Sequence, residues 1–244
     1  MKQDDGRAGH ATLTDRDAQK RAAAERAVGY VESGMRLGLG TGSTAWHVVD
    51  IVGGMLRDGT LRDIVAVPTS RATAEQARSL GIPLTTLDEV RELDLAIDGA
   101  DEIDPQLDLI KGHGGALLWE KLVEYAAARL VIVADDSKLV HRLGEKSYLP
   151  VDVVPFGARA LLPFFESLGA RAQLRQHNDE TFVTDGGHYI ADLRFDGGMQ
   201  DATGVERALR ARPGVVETGL FLGMADVAVI AGAGGVREMQ RPAR

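Results

Sequence analysis

The chain has 244 residues, a formal net charge of -8, 44% hydrophobic and 26% charged residues, and no cysteine. This length builds one large domain, or one large and one small, and the acidic balance argues against non-specific nucleic-acid binding. The missing thiols exclude disulfides, thiolate zinc sites and a cysteine nucleophile, and no run approaches the ~20 apolar residues of a membrane span.

Residues 1–12 are polar, lack a signal-peptide core, and read as a disordered tail. Thr14 is placed to cap a helix over 15–31. A strand follows at 35–40, then TGSTA opens a helix to about residue 56 with apolar Ala45, Val48, Val49 and Val52 on one face. The next strand, 64–70, ends in small hydroxyl residues. A helix over 72–80 stops at Gly81, 82–87 reads as a short strand, and LDLAID and LVIVAD are two more strands. Continuous apolar strands alternating with helices predict an α/β fold whose mostly parallel sheet is covered on both faces. The composition shifts near Tyr148. From there the order is strand, helix over 158–168, strand (ARAQLRQ), a hairpin turning at residues 185–187, and a helix over 201–210. This is the order of a small α+β domain of split βαβ, ferredoxin-like type. VVETGLFLG and VAVIAG return to buried-strand composition and are placed in the first sheet. The expected division is therefore 13–147 plus 217–244 for the large domain and 148–216 for an inserted small one.

Chemistry gathers in the stretch 98–120, DGADEIDPQLDLIKGHGGALLWE. An apolar strand delivers Asp98 and Asp101, separated by Gly99 and Ala100, at its carboxyl end, where open α/β sheets bind ligands. Lys111 precedes the turn Gly112, His113, Gly114, and a helix carrying Glu120 follows. Glu102 and Asp104 read as a solvated acidic loop. Only 6 of the 28 basic residues are lysines, yet lysine stands at 111 and 138, and a compact ammonium is not replaceable by a planar guanidinium in a tight site. Thr41, Gly42, Ser43 and Thr44 lie between a strand and a helix N-terminus, whose free N–H groups suit a single phosphate. A dinucleotide fingerprint is disfavoured by Ser43 at its third glycine position, and no Gly-Lys-Ser/Thr follows for a Walker loop. Asp135 and Lys138 end another strand and reach the same edge. The histidines form no metal-spaced cluster, so no metal is expected.

Five motifs, GLGTGSTA, DGADEID, KGHGGAL followed by Glu120, ADDSK, and PGVVETGLF, occur in one order over most of the chain. Together they resemble the A-type ribose-5-phosphate isomerases. The resemblance implies a Rossmann-like domain carrying the small inserted one, and a homodimer or homotetramer in the cytoplasm. It also implies cofactor-free interconversion of D-ribose 5-phosphate and D-ribulose 5-phosphate through an enediolate. By position it makes Glu120 the proton-transferring base and Lys111 the cation for the developing oxyanion. Asp98 and Asp101 would handle sugar hydroxyls and ring opening, and Thr41–Thr44 with Lys138 would bind phosphate and nearby hydroxyls. His113 stands where the family usually has glycine, and Trp119 where a smaller or basic residue is common; both are expected at the pocket mouth. Two other readings fit a related sheet: a sugar-phosphate sensor, and a CoA-transferase-type enzyme with an acylated glutamate.

Overall fold

The structure, a computed structural model, describes residues 13–242; the expected tail, 1–12, lies outside them. In chain order the elements are α1 (Leu13–Val28), β1 (Arg36–Leu39), α2 (Ser43–Arg57), β2 (Val65–Pro68), α3 (Arg71–Ser79), β3 (Leu95–Gly99), β4 (Glu102–Ile103), β5 (Leu109–Ile110), α4 (Leu117–Tyr125) and β6 (Leu130–Asp135). They continue with β7 (Leu149–Val153), α5 (Leu162–Ser167), β8 (Ala170–Leu174), β9 (Gln176–His177), β10 (Glu180–Thr181), β11 (Tyr189–Phe195), α6 (Ala202–Arg210), β12 (Val215–Thr218), β13 (Leu220–Phe221), β14 (Val227–Gly232) and β15 (Gly235–Gln240).

The main sheet runs β15-β14-β6-β3-β1-β2, parallel throughout except for β15. Alternate residues of each strand feed different cores, as the pleat requires. Ile97, Val131 and Val133 join Ala23, Ala27, Val48 and Val52 of α1 and α2 on one face. Ala96, Ile132 and Ala134 join Ile103, Leu109 and Phe221 on the other. Both faces are covered, which is why the strands read as unbroken apolar runs. The chain leaves β1 for β2 on one side and then returns to β3 on the other. The parallel register brings the carboxyl ends of β1, β3 and β6 to one edge, and the reversal of direction opens a crevice there.

A second sheet, ordered β12-β7-β11-β8, packs α5 and α6 around Phe165, Leu193 and Leu209. Its strand-helix-strand-strand-helix-strand order is the expected one. β4, β5 and β13 form a third, three-stranded sheet, with β4 and β5 drawn from the connection between β3 and β6.

Several local details differ from the expectation. VVET is β12 in the four-stranded sheet, and only the residues after it move on, to β13 and then β14. Apolar composition marks a buried strand but does not say which sheet buries it. The segment 82–87 makes a single parallel bridge, Leu84 to Ala66, because Pro83 interrupts the ladder. The expected turn at 185–187 is present, closed by the Thr184 N–H to the His188 carbonyl and an antiparallel bridge from Val183 to Tyr189, and a second hairpin precedes it, turning at left-handed Asn178-Asp179. β15 is a polar, largely exposed edge strand with no apolar alternation to announce it. α1 begins at Leu13, so Thr14 falls inside the helix rather than at its cap.

Candidate active site

The end of β1 and the end of β3 are tied together. Asp98 is buried, and its Oδ1 accepts the N–H of Thr41 at 2.9 Å and of Gly99 at 2.6 Å. Gly40 must be glycine for this contact, since a Cβ there would lie 2.1 Å from the same oxygen. Thr41 Oγ1 shares a hydroxyl cluster with Thr69, Ser70 and Thr73 at 2.7–3.1 Å, which pins the loop to the end of β2. The loop then enters α2 through Gly42 (φ 107°), and no side chain caps the helix. Its first N–H groups therefore face the crevice, at the positive end of the helix dipole. Lys20, on α1, donates to Ser43 Oγ at 2.9 Å and adds a cation at this edge.

Lys111 is among the largest fully buried side chains of the described residues. Its ammonium donates to the Gly99 carbonyl at 2.6 Å. It also faces three carboxylates: Asp98 at 3.0 Å, Glu124 at 3.1 Å and Glu120 at 3.7 Å. Glu120 and Glu124 are one helical turn apart on the buried face of α4. Glu120 Oε2 and both Glu124 oxygens lack a directed hydrogen bond. One cation does not offset three buried carboxylates, so the group with the poorest solvation holds its proton. Burial pushes Glu120 up to about 8, with Lys111 pulling it down and Asp98 and Asp101 pushing it further up. Burial likewise raises Glu124 well above the carboxylate range, against the pull of Lys111. For Lys111 burial works to lower the ammonium, but Asp98, Glu120 and Glu124 outweigh it and hold the charge firmly.

A cavity of about 100 Å³ opens beside this cluster. It is lined by Thr41, Gly42, Ser43, Thr44, Gly99, Ala100, Asp101, Lys111, Gly112, His113, Gly114, Glu120 and Lys138. That is well below the ~300–1,000 Å³ of pockets for drug-sized ligands. The expected residues thus converge, with two exceptions. Asp98 lies behind the cavity wall, where it holds the Thr41 loop and Lys111. Asp135 does not line the cavity; its carboxylate accepts the Ser137 N–H and hydroxyl and caps the turn that carries Lys138. Trp119 is not at the mouth either, because it sits in a separate cleft between α3 and α4. Glu102 is not solvated: fully buried, it accepts the N–H groups of Gly144, Lys146 and Ser147. Asp104 is partly buried and closes a turn through Gln106 and Asp108.

Sequence reasoning missed Glu124, whose signal is the i,i+4 spacing from Glu120. It missed Lys20, a third rare lysine. It also missed Arg175, whose guanidinium grips Asp192 and donates to the His113 carbonyl at 2.7 Å. Nothing local in ARAQLRQ marks that reach.

The fold and the cluster define a class: an α/β protein with buried carboxylates beside a buried lysine and an uncapped helix N-terminus at one sheet edge. Comparison with known proteins narrows it. The model of the family ribose 5-phosphate isomerase A (phosphoriboisomerase A) matches residues 65–235. A ribose-5-phosphate isomerase A of Nitrobacter hamburgensis is 53% identical, covering 92% of this chain and 98% of its own. A probable ribose-5-phosphate isomerase 2 of Arabidopsis thaliana is 51% identical over 91% of this chain and 86% of its own. The solved ribose 5-phosphate isomerase of Plasmodium falciparum superposes with a TM-score of 0.90 at 39% identity, covering 93% of this chain and 100% of that one. A D-ribose-5-phosphate isomerase in complex with phospho-erythronic acid does so with the same score at 38% identity, over 93% and 99%. The chain belongs to the ribose 5-phosphate isomerase A family.

Proposed function

We propose that the chain interconverts D-ribose 5-phosphate and D-ribulose 5-phosphate, with Glu120 as the base that moves the proton between C2 and C1. The observation that carries the assignment is a buried, raised carboxylate on the cavity wall, 3.7 Å from a buried lysine. A base tuned toward the working pH contributes roughly 10²–10⁴-fold. As Glu120 takes the C2 proton of the open-chain aldose, negative charge grows on the carbonyl oxygen at C1. Lys111, already fixed by Gly99 and Asp98, stabilises that charge without reorganising. Glu120 returns the proton to C1, and a hydroxyl proton moves from O2 to O1. Asp101, on the cavity wall and partly exposed, is the carboxylate placed to pass that proton and to assist ring opening. Asp98 acts from behind, by holding Lys111 and the Thr41 loop.

Phosphate is assigned to the N-terminus of α2 with Ser43, Thr44, Lys20 and Lys138. The relative solved with phospho-erythronic acid supports a phosphorylated ligand. The same reading takes the enzyme as a cytoplasmic homodimer or homotetramer; exposed Leu122, Tyr125 and Trp46 are apolar side chains such an assembly would cover. It also keeps a small domain inserted into the catalytic one from 148 onward, closed by β12 at Thr218 rather than at 216, and supported by the core around Phe165. A pure sensor is disfavoured, because binding alone gives no use for a buried base beside a buried lysine. Glu120→Gln tests the assignment: ligand affinity should persist while kcat collapses, and near-normal kcat would remove Glu120 from the reaction.

A further inference from the structure

His113 is the one bulky residue in the run Gly112 to Gly115, and its whole environment is built around it. Its ring stacks on Tyr148, with centroids 4.1 Å apart and planes inclined by 19°. Nε2 lies 3.1 Å from the Tyr148 carbonyl; a carbonyl only accepts, so Nε2 carries the proton. The opposite nitrogen, Nδ1, faces Asp101 Oδ1 at 3.5 Å, and the His113 backbone N–H donates to Asp101 Oδ2 at 3.0 Å. The directed hydrogen bond to Asp101 thus comes from the His113 backbone, with the ring lying beside the other carboxylate oxygen. The His113 carbonyl is held in turn by Arg175, itself locked by two contacts to Asp192 and lying over the rings of Tyr148 and Phe182.

We propose that His113 is a positioning residue for Asp101: its ring, anchored on Tyr148, fixes the glycine turn so that the Asp101 carboxylate is held at one orientation on the cavity wall. The proposal rests on the reading that Asp101 handles substrate hydroxyl protons. Where the family usually has glycine, this chain ties the turn down instead. Gly112 and Gly115 both adopt positive φ, at 100° and 83°, and a run of glycines has little intrinsic stiffness. The anchor at 113 supplies it from outside, through Tyr148 at the start of β7 and Arg175 after β8. The four-stranded sheet thereby takes part in the reaction at a distance, by stiffening the turn that lines the cavity.

The test is a double-mutant cycle on ribose 5-phosphate isomerisation, with kcat and KM measured for His113→Gly, Asp101→Asn and the pair. His113→Gly should lower kcat roughly ten- to hundredfold, the size of effect that a small misplacement of a reacting group produces, while KM changes little. Asp101→Asn should lower kcat at least as far. In the Asp101→Asn background His113→Gly should cost nothing further, because the residue acts through that carboxylate. A merely structural role would give the same loss in both backgrounds, and that result overturns the proposal, as does full kcat in His113→Gly. Full kcat in Asp101→Asn would instead show that the reading of Asp101 is wrong, and the proposal falls with it. Should the glycine variant fail to fold, His113→Ala removes the stack on Tyr148 and both ring nitrogens without adding a glycine, and carries the same comparison.

Discussion

Glu120 lies in a helix between Trp119 and Lys121, so its sequence context does not separate a base from a surface acid; burial separates them. The raised value has consequences of definite sign. A base works only when ionised, so kcat/KM should climb as pH rises through about 8. Stability should move the other way. The folded state keeps a proton that the unfolded chain, with its ordinary value of 4.5, has released. This group's contribution therefore falls as pH rises from about 4.5 to about 8. Glu120→Gln should accordingly be more resistant to urea than the parent at pH 9 and should show a flatter dependence below it; equal midpoints across the range would contradict the burial argument. Asp98, Asp101, Lys111 and the Thr41–Thr44 turn were legible because strand ends and glycine turns mark where ligands meet an open sheet. Glu124, Lys20 and the inward-turned Glu102 were not, because an acid or a lysine on a polar stretch looks the same whether it faces water or a buried partner. Asp135 shows the converse: a strand-end acid can serve only to cap a turn.

At the level of elements, α4 is the piece the site depends on, since it carries Glu120 and Glu124 on one face. It is fastened by Lys121, buried on that helix, which donates to Glu217, to the Thr218 carbonyl and to the Leu220 carbonyl at 2.6–2.9 Å. Burial pulls the Lys121 ammonium down while Glu217 pushes it up. Lys121→Met leaves these acceptors without a donor and should cost about 3–5 kcal/mol, read as a shift of the denaturation midpoint. A loss under 1 kcal/mol would mean that α4 is held by packing alone. The turn before α4 is equally constrained. Gly115 has φ 83°, and a Cβ there would meet the Phe182 ring at 2.5 Å. Gly115→Ala should therefore displace β10 from the glycine turn and reduce kcat as well as the melting temperature. Helices were readable from periodicity and parallel strands from unbroken apolar runs, because the former bury one face and the latter both. Sheet membership was not: Val215–Thr218 and Leu220–Phe221 have similar composition, and only tertiary register sends them to different sheets. β15 carries its pairing in the backbone, with largely polar side chains, so nothing in its composition betrays it.

For the molecule as a whole, the arrangement puts one small cavity where the chain reverses direction across its main sheet, with a second sheet bracing the turn that lines it. Light scattering at assay concentration should give a dimer or tetramer mass; a monomer would leave Leu122, Tyr125 and Trp46 exposed and would remove the assembly from the proposal. The central claim is that this cavity moves a proton between adjacent carbons. The most direct measurement follows ribose 5-phosphate by NMR in deuterated water with a catalytic amount of the protein. Ribulose 5-phosphate should appear, with solvent deuterium entering at C1 or C2, and both should be lost in Glu120→Gln. Saturable binding of ribose 5-phosphate with neither ketose nor exchange would contradict that claim.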